Sequence, residues 1–324
     1  MTHAFNLEMY TNFLIANGNR YSGVEASKAL TLTHGSEAPA HDTISRWLAS
    51  ETSTSNDLWM HIKNLVDTKR SNLIVDDTVL DKQWSPNNEL VRYHWSGNEH
   101  SVIRGISLVN LLATTGKDCI PIDYRIYEGK ESKMTKNDHF LAMLDTAKER
   151  GFKPRYVLAD AWYGSVMNLK KIRSLGWKFI IGMKENRIVN VTQGTNISVA
   201  DLDWKNKRLH KVWLRDFGFV LVARIIFKNG DTRYIATNDL SLTRYDDLSA
   251  ESKQRWTIEE FHRGIKQTTG IERCYSIKKR SQLTHIFSCF IAFLRLEFER
   301  IRSGVSWYEQ KARMVRKGMA GAFA

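Results

Sequence analysis

Residues 155–184, RYVLADAWYGSVMNLKKIRSLGWKFIIGMK, decide the fold class of this chain. The stretch begins with RYVLAD, an apolar run typical of a buried strand, and ends with a second such run, WKFIIGMK. Between them, SVMNLKKIRSLG predicts a helix, for which Ser165 is a suitable N-cap. A strand, a helix and a strand in this order indicate an α/β protein.

The preceding residues extend this pattern. NLIVDDTVL, VIRGISLVNLLAT and CIPIDYRIYE predict three consecutive strands within residues 72–128, and NDHFLAMLDTAKERG predicts a helix over residues 137–151. Three strands followed by a helix, a strand, a helix and a strand predict an α/β domain with a mixed sheet.

Residues 185–248 interrupt this order with long β-type runs and an Asn-Gly pair at 229–230, a strong hairpin signal. They are therefore predicted to form a β-rich insertion. The α/β domain is expected to comprise residues 69–184 and 249–302, ending with HIFSCFIAFLRLEFERIR, a mostly apolar helix that packs on the sheet. Residues 303–324 are predicted to be a basic, poorly structured tail.

Residues 1–68 are predicted to be helical. SGVEASKAL and HDTISRWLAS are helix candidates, and the second of them exposes Ser45 and Arg46. Two short helices joined by a connection are compatible with helix-turn-helix DNA binding. A small helical bundle without a DNA partner has the same pattern, so both interpretations stay open.

The charge balance points to a polyanionic partner, because 48 Lys and Arg residues against 35 Asp and Glu residues give a net charge of +13. Nucleic acid is the first candidate and an anionic membrane the second. A spanning segment is not expected, since the longest apolar run is short and contains Arg295. No signal peptide is visible at MTHAFNLEMY, so a cytoplasmic, nucleoid-associated location is expected.

The three cysteines, at positions 119, 274 and 289, show no metal-binding spacing, and the histidines form no HExxH pair. Neither zinc nor disulfides are therefore expected, and any metal ion is expected to have oxygen ligands.

Residues 255–267, RWTIEEFHRGIKQ, place two adjacent acids in a basic segment. At 100° per residue, one narrow sector of this helix comprises Arg255, Glu259, His262 and Lys266. A separate apolar stripe comprises Ile258, Phe261 and Ile265. The helix is thus expected to present an acid framed by cations beside the face that packs on the core.

Two predicted strands also carry acids. Asp76 and Asp77 lie within the first strand and are expected on opposite faces, whereas Asp160 ends the strand at residues 155–160. Buried carboxylates are usually paired or bound to metal, and sites in α/β sheets gather near the carboxyl ends of strands. Together with Glu259, these acids predict a metal site made of oxygen ligands.

This set of residues resembles the DDE transposases of bacterial insertion sequences, in the group whose final motif reads Tyr-x2-Arg-x3-Glu-x6-Lys. Arg255, Glu259 and Lys266 match that spacing. Ser252 stands where the family has its tyrosine.

The other two family motifs match the strand-borne acids. Asp76, followed by Thr78, fits the first motif better than Asp77 does, and Asp160, followed by an alanine and Tyr163, fits the second. The resemblance covers roughly residues 70 to 300. It implies a ribonuclease-H-like catalytic domain with a β-rich insertion, preceded here by the N-terminal helical, DNA-binding region.

The resemblance assigns catalysis and metal binding to Asp76, Asp160 and Glu259. Two Mg²⁺ ions, with Mn²⁺ as a substitute, suit three carboxylates and the transfer of a DNA phosphoryl group. Arg255 and Lys266 are expected to bind phosphate and so offset the repulsion between the acids and DNA.

Further DNA contacts are expected from the neighbours of these residues. His262 faces the same sector and is expected to contact phosphate or water. Trp256 is interpreted first as a core residue, with stacking on a distorted base as the alternative. Ser252 is expected to face DNA, as the family's tyrosine does.

The implied function is DNA transposition, with cleavage at terminal inverted repeats and joining of the ends to target DNA. A homodimer is implied for the complex that pairs two ends. Another ribonuclease-H-like nuclease, such as a resolvase, and a catalytically inactive helix-turn-helix DNA-binding protein are the alternatives.

Overall fold

The computed structural model describes residues 5–18, 20–97, 99–129, 132–192, 194–227 and 229–323, with side chains up to residue 317. Within these residues ten α-helices occur: Leu7–Ala16 (α1), Gly23–His34 (α2), His41–Ser50 (α3), Ser55–Ile62 (α4), Lys136–Glu149 (α5), Val166–Ser174 (α6), Tyr245–Lys253 (α7), Thr257–Thr269 (α8), Lys279–Ser303 (α9) and Trp307–Phe323 (α10). Among the same residues, no helix is both long enough and apolar enough to cross a membrane.

Eleven described strands form one sheet: Asn72–Asp81 (β1), Arg92–Ser96 (β2), Ser101–Thr114 (β3), Ile120–Tyr127 (β4), Val157–Ala159 (β5), Phe179–Met183 (β6), Ile188–Asn190 (β7), Asn196–Ser198 (β8), Leu209–Leu214 (β9), Gly218–Ile226 (β10) and Thr232–Thr237 (β11). Their order is β2-β3-β1-β5-β6-β11-β10-β9-β7-β8, with β4 paired to β3. The mixed α/β architecture predicted from the sequence is confirmed.

The sheet has a short parallel part, β1-β5-β6, between two antiparallel parts. β1 is antiparallel to β3 and parallel to β5, and β5 is parallel to β6. β11 then pairs with β6, so the strands of residues 185–248 continue the same sheet. Ser165 caps α6 as expected, because its hydroxyl accepts a hydrogen bond from the amide of Asn168 at 3.2 Å.

The long helix α9 lies between the sheet and the N-terminal helices. On one side it packs on β4, where the rings of Tyr124 and Phe290 stack with centroids 4.4 Å apart. On the other side it contacts α1, α3 and α4, and the hydroxyl of Tyr10 is 2.8 Å from Nδ1 of His285. This sandwiched position explains why most of the α9 sequence is apolar.

The prediction that residues 303–324 form a poorly structured tail is wrong, because residues 307–323 form α10. The anchor of this helix is Trp307, which is 8% exposed and whose indole N–H donates to Glu297 at 2.7 Å. Its ring fits against Gly264 of α8, where a Cβ atom would lie only 2.8 Å away. The buried indole of Trp307 therefore helps to hold α10 against the domain, although the composition of this helix is basic.

Asp239, which follows β11, links the end of that strand to the residues just before β5 and β6. Its carboxylate accepts hydrogen bonds from Tyr156 and Lys178, both at 2.8 Å, and from Ser241. Burial alone would raise the pKa of Asp239, but the bonds from Lys178, Ser241 and Tyr156 outweigh it and lower the pKa to about 2. Since the folded-state pKa lies below the usual 3.8, this carboxylate stabilises the fold above pH 4 and ceases to do so as the pH falls towards 2.

Asp239→Asn is expected to lower the free energy of unfolding by about 2 kcal/mol at pH 7, with a smaller difference as the pH approaches 2. Urea unfolding at several pH values measures this difference. Asp231→Asn, at an exposed position, is the matched control and should change stability by less than about 0.5 kcal/mol. A loss for Asp239→Asn that is independent of pH would contradict the assignment.

Candidate active site

A cleft of about 1100 Å³ runs along β1, the end of β5 and α8. It brings together the three acids singled out from the sequence, namely Asp76, Asp160 and Glu259. Asp77 also lines the cleft. Acids that are 84 and 99 positions apart in the chain, by subtraction of their residue numbers, therefore share one site.

Each acid is positioned by a different element. Asp76 lies in the middle of β1, opposite Asn110 of β3. Asp160 follows β5 directly, and its carboxylate accepts a hydrogen bond from the amide of Trp162 at 2.9 Å, which caps a short 3-10 turn. Glu259 lies in the first turn of α8. The sheet thus fixes two of the acids and the helix brings the third.

Gly182 of β6 allows Asp160 to lie where it does. A Cβ atom at this glycine would be 2.6 Å from the amide nitrogen of Ala161 and 3.0 Å from the carbonyl carbon of Asp160. Backbone atoms cannot give way as a flexible side chain can, so the strand and the turn approach each other this closely only with glycine here.

The acids repel one another. Burial raises the pKa of Asp76 well above its usual range, and the negative charges of Asp160 and Asp77 raise it further. Burial is also the main cause that raises the pKa of Asp160, followed by the charge of Asp77. The cleft therefore concentrates negative charge in largely buried surroundings, which a bound cation relieves.

Two cations distinguish Asp76 from Asp77. Arg255 forms an ion pair with Glu259, and its guanidinium is 3.9 Å from Asp76, so it bridges these two acids. Asp77 pairs with Lys136 at 2.5 Å and accepts a hydrogen bond from the hydroxyl of Tyr163 at 3.2 Å.

Lys266 and His262 also line the cleft, where both are held by protein atoms. The ammonium of Lys266 donates to the carbonyl of Val79 at 2.7 Å and pairs with Glu272 at 2.9 Å. Asn110 hydrogen-bonds to the ring of His262 at 3.0 Å. Burial, with the nearby charges of Lys266 and Arg255, lowers the pKa of His262 to about 3, so the ring is neutral at pH 7.

The other residues predicted to bind DNA lie outside the described lining of the cleft. Trp256 is 43% exposed, so its interpretation as a core residue is wrong. It lies in a 3-10 turn between α7 and α8. That turn also breaks the continuous helix assumed for Ser252, whose hydroxyl donates to the carbonyl of Ser249 at 2.8 Å.

The remaining two predicted DNA contacts lie on α3. Ser45 and Arg46 are both exposed, as expected. Arg46 pairs with Asp42 at 2.9 Å, and the hydroxyl of Ser45 donates to the carbonyl of His41. α3 packs on α2 and α9 and contributes no side chain to the described lining of the cleft.

Sequence reasoning missed several residues that line the cleft, namely Tyr21, Trp95, Trp162, Arg263, Gln267, Arg273 and Lys311. Arg263 and Gln267 follow Glu259 at four-residue spacing, a helical signal that could have revealed them. No local pattern links Tyr21 or Lys311 to the acids, because only tertiary packing brings them to the cleft.

The donor set fits a hard divalent cation in kind, since carboxylate oxygens are the ligands that such ions prefer. Among the described residues, no group of three or more His, Cys, Asp and Glu side chains lies close enough together to hold a metal ion. Arg255 pairs with both Asp76 and Glu259. Burial and the charges of neighbouring acids nevertheless raise the pKa values of Asp76 and Asp160, so these carboxylates are in surroundings where a divalent cation would be favourable.

The fold and the sequence both match known proteins, although a comparison with curated proteins finds none that is similar. A solved structure, the cryo-EM structure of the piggyBac transposase synaptic complex with hairpin DNA, is similar in fold with a TM-score of 0.57. The sequence identity is 10%, over 95% of this chain and 69% of that one. Residues 67–295, more than half of the chain, match the family described as the transposase DDE domain. With its acids gathered in one cleft, the chain belongs to the DDE transposase family.

Proposed function

We propose that this protein is the DNA transposase of an insertion sequence in the group with the Tyr-Arg-Glu-Lys final motif. It cuts at the terminal inverted repeats of its element and joins the ends to target DNA. The observation that carries this proposal is the convergence of Asp76, Asp160 and Glu259 on one cleft in a chain of the DDE family.

In this proposal the three acids hold divalent metal, with Mg²⁺ as the natural ion and Mn²⁺ as a substitute. Two such ions supply an activated oxygen nucleophile and stabilise the leaving oxygen when they are bound. Asp76 is the first acid rather than Asp77, because Asp77 is already neutralised by Lys136. Arg255 keeps Glu259 oriented through their ion pair. Its guanidinium can form several charge-assisted bonds, so when DNA binds it exchanges its contact with Asp76 for one with a DNA phosphate.

We assign residues 69–184 and 249–302 to a ribonuclease-H-like catalytic domain and residues 185–248 to its insertion. Supporting this assignment, the sheet changes from antiparallel to parallel pairing at β1, the strand that bears the first acid. Residues 1–68 serve as the DNA-binding region, and residues 303–324 as a basic C-terminal segment.

DNA is the partner of several further side chains in this proposal. Lys266 and His262 reach it from the cleft, and Trp256 and Ser252 from the turn before α8. Ser45 and Arg46 contribute to recognition of the element end from the exposed face of α3. Two copies pair the two ends as a homodimer, in the nucleoid of a prokaryotic cell.

The test is an end-joining assay with DNA that carries both terminal repeats, a supercoiled target plasmid and Mg²⁺. The wild-type protein is expected to produce sequenced junctions between element ends and target. Glu259→Gln and Asp160→Asn should lower joining about a thousandfold while DNA binding survives, because loss of a ligand removes several kcal/mol of transition-state stabilisation.

Glu260→Gln is the matched control, since Glu260 is the exposed neighbour of Glu259 and does not line the described cleft. It should join ends at the wild-type rate. Normal joining by Glu259→Gln would refute the assignment of the third acid, and an absence of junctions with the wild-type protein would refute the proposed function.

A further inference from the structure

The cleft has two ends of opposite electrostatic character. One end holds the acids described above. The other end, where α8 finishes and α10 begins, is lined by Tyr21, Arg263, Gln267, Arg273 and Lys311. Glu272, a carboxylate that also lines the cleft, is paired with Lys266. The second end is therefore cationic, and Tyr21 and Lys311 lie outside the residues that match the transposase domain.

Lys311 is a partly buried cation without a carboxylate partner among the described residues. Its ammonium donates to the carbonyl of Thr268 at 2.7 Å, to the hydroxyl of Tyr21 at 3.1 Å and, weakly, to the carbonyl of Leu14 at 3.4 Å. All three acceptors are uncharged. Burial lowers the pKa of Lys311 to about 8, so the group is still mostly charged at pH 7. A partly buried charge that is held only by neutral oxygens is stabilised further by an anion.

Arg263 lines the same end of the cleft as Lys311 and is exposed. It follows Glu259 by one helical turn on α8, and within the described part of the chain it forms no ion pair and no hydrogen bond. Its neighbour Gly264 contacts Trp307, the first residue of α10, so Arg263 lies where α8 and α10 meet. A guanidinium in this position is available to a ligand that enters the cleft.

The spacing suits a DNA strand. Along α8, the four residues from Glu259 to Arg263 correspond to about 6 Å, and the eleven residues to Gly270, near Lys311, to about 16 Å. A DNA strand advances ~3.4 Å per nucleotide, so these positions lie roughly two to five nucleotides from the acids.

We propose that Arg263 and Lys311 line a second phosphate subsite, which binds different phosphates of the DNA strand roughly two to five nucleotides from the scissile phosphate. This inference rests on the proposed function, because it takes the strand at the acids to be DNA. The carboxylate end then performs the chemistry, and the cationic end keeps the strand in line with it.

The test measures binding of a fluorescein-labelled duplex carrying one terminal repeat, in EDTA, between about 50 and 200 mM salt. Arg263→Ala and Lys311→Met should each reduce the slope of log K against log salt by about 1, since each loses one phosphate contact. Arg70→Ala is the matched control, because Arg70 is 87% exposed and does not line the described cleft; its slope should equal that of the wild type.

A second measurement locates the contact. Single phosphates of the duplex are replaced by neutral methylphosphonates. The replacement at the phosphate that Arg263 contacts should weaken binding of the duplex by the wild-type protein but not by Arg263→Ala. Lys311→Arg should restore the slope, and thermal melting shows whether Lys311→Met is folded. If Lys311→Met does not fold, Arg263→Ala and the methylphosphonate series decide alone.

The outcomes separate the two proposals. A wild-type protein that fails to bind the terminal repeat would contradict the proposed function. A wild-type protein that binds, with an unchanged slope in Arg263→Ala and in folded Lys311→Met, would overturn the second phosphate subsite alone.

Discussion

Asp76→Asn is expected to abolish DNA cleavage and, at the same time, to make the protein more stable. Cleavage should fall about a thousandfold, because several kcal/mol of transition-state stabilisation are lost with a metal ligand. Stability should rise because the amide removes a buried negative charge that Asp160 and Asp77 repel. A gain of 1 kcal/mol corresponds to a rise of about 2–4 °C in Tm for a protein of this class.

Added Mg²⁺ should reverse the order of stability. Because a ligand stabilises the state that binds it, Tm of the wild-type protein should rise with the metal concentration, whereas Tm of Asp76→Asn should rise less. Differential scanning fluorimetry with and without Mg²⁺ measures this effect without any DNA.

Asp77→Asn is the matched comparison, since Asp77 neighbours Asp76 but pairs with Lys136 and Tyr163. It should keep cleavage within about tenfold of the wild type and lose stability, because its replacement leaves Lys136 without its partner. If Asp77→Asn loses cleavage and Asp76→Asn keeps it, the first acid is Asp77.

Gly182→Ala is expected to cut cleavage about a hundredfold although it adds a single methyl group at a residue outside the described lining of the cleft. The methyl group would press on the backbone of Asp160 and Ala161, so the turn must shift and take the second acid with it. A displacement of ~1 Å at a catalytic group can cost two orders of magnitude in rate. Single-turnover cleavage measures the loss, and circular dichroism checks that the sheet is retained.

Gly97→Ala provides a stringent control, since Gly97 lines the same cleft but a Cβ atom there would meet nothing within 4 Å. It should cleave at nearly the wild-type rate. Equal losses of cleavage rate in the two alanine variants would show that the cleft tolerates no added methyl group. They would contradict a specific role for Gly182.

The fold was predictable where strands are apolar runs. β1 is rich in valine, leucine and isoleucine, and β5 consists of Val-Leu-Ala, so their sequences alone indicate buried strands. β2 escaped prediction because its pattern is inverted: the polar His94 and Ser96 face inward, while the aromatic Tyr93 and Trp95 are exposed. Hydrophobic alternation cannot reveal a strand of this kind.

The candidate site divides in the same way. Asp76, Asp160 and Glu259 could be named because each lies in a local motif, and the cleft indeed contains all three. Lys311 could not be named, because its position depends on the docking of α10 through Trp307. The helical wheel placed Ser252 beside Arg255 only on the assumption of an unbroken helix, which the 3-10 turn at residues 254–256 interrupts.

The hydrogen bond between Tyr10 and His285 joins residues that are 275 positions apart. At a synthesis rate of about 5–20 residues per second, α1 waits roughly 15–55 s for α9 to be made. During that interval the apolar side of α1, including Phe13 and Leu14, lacks the surface of α9 against which it packs. The helices α1, α3 and α4 therefore reach their final packing only after α9, more than 200 residues further along the chain, has been made.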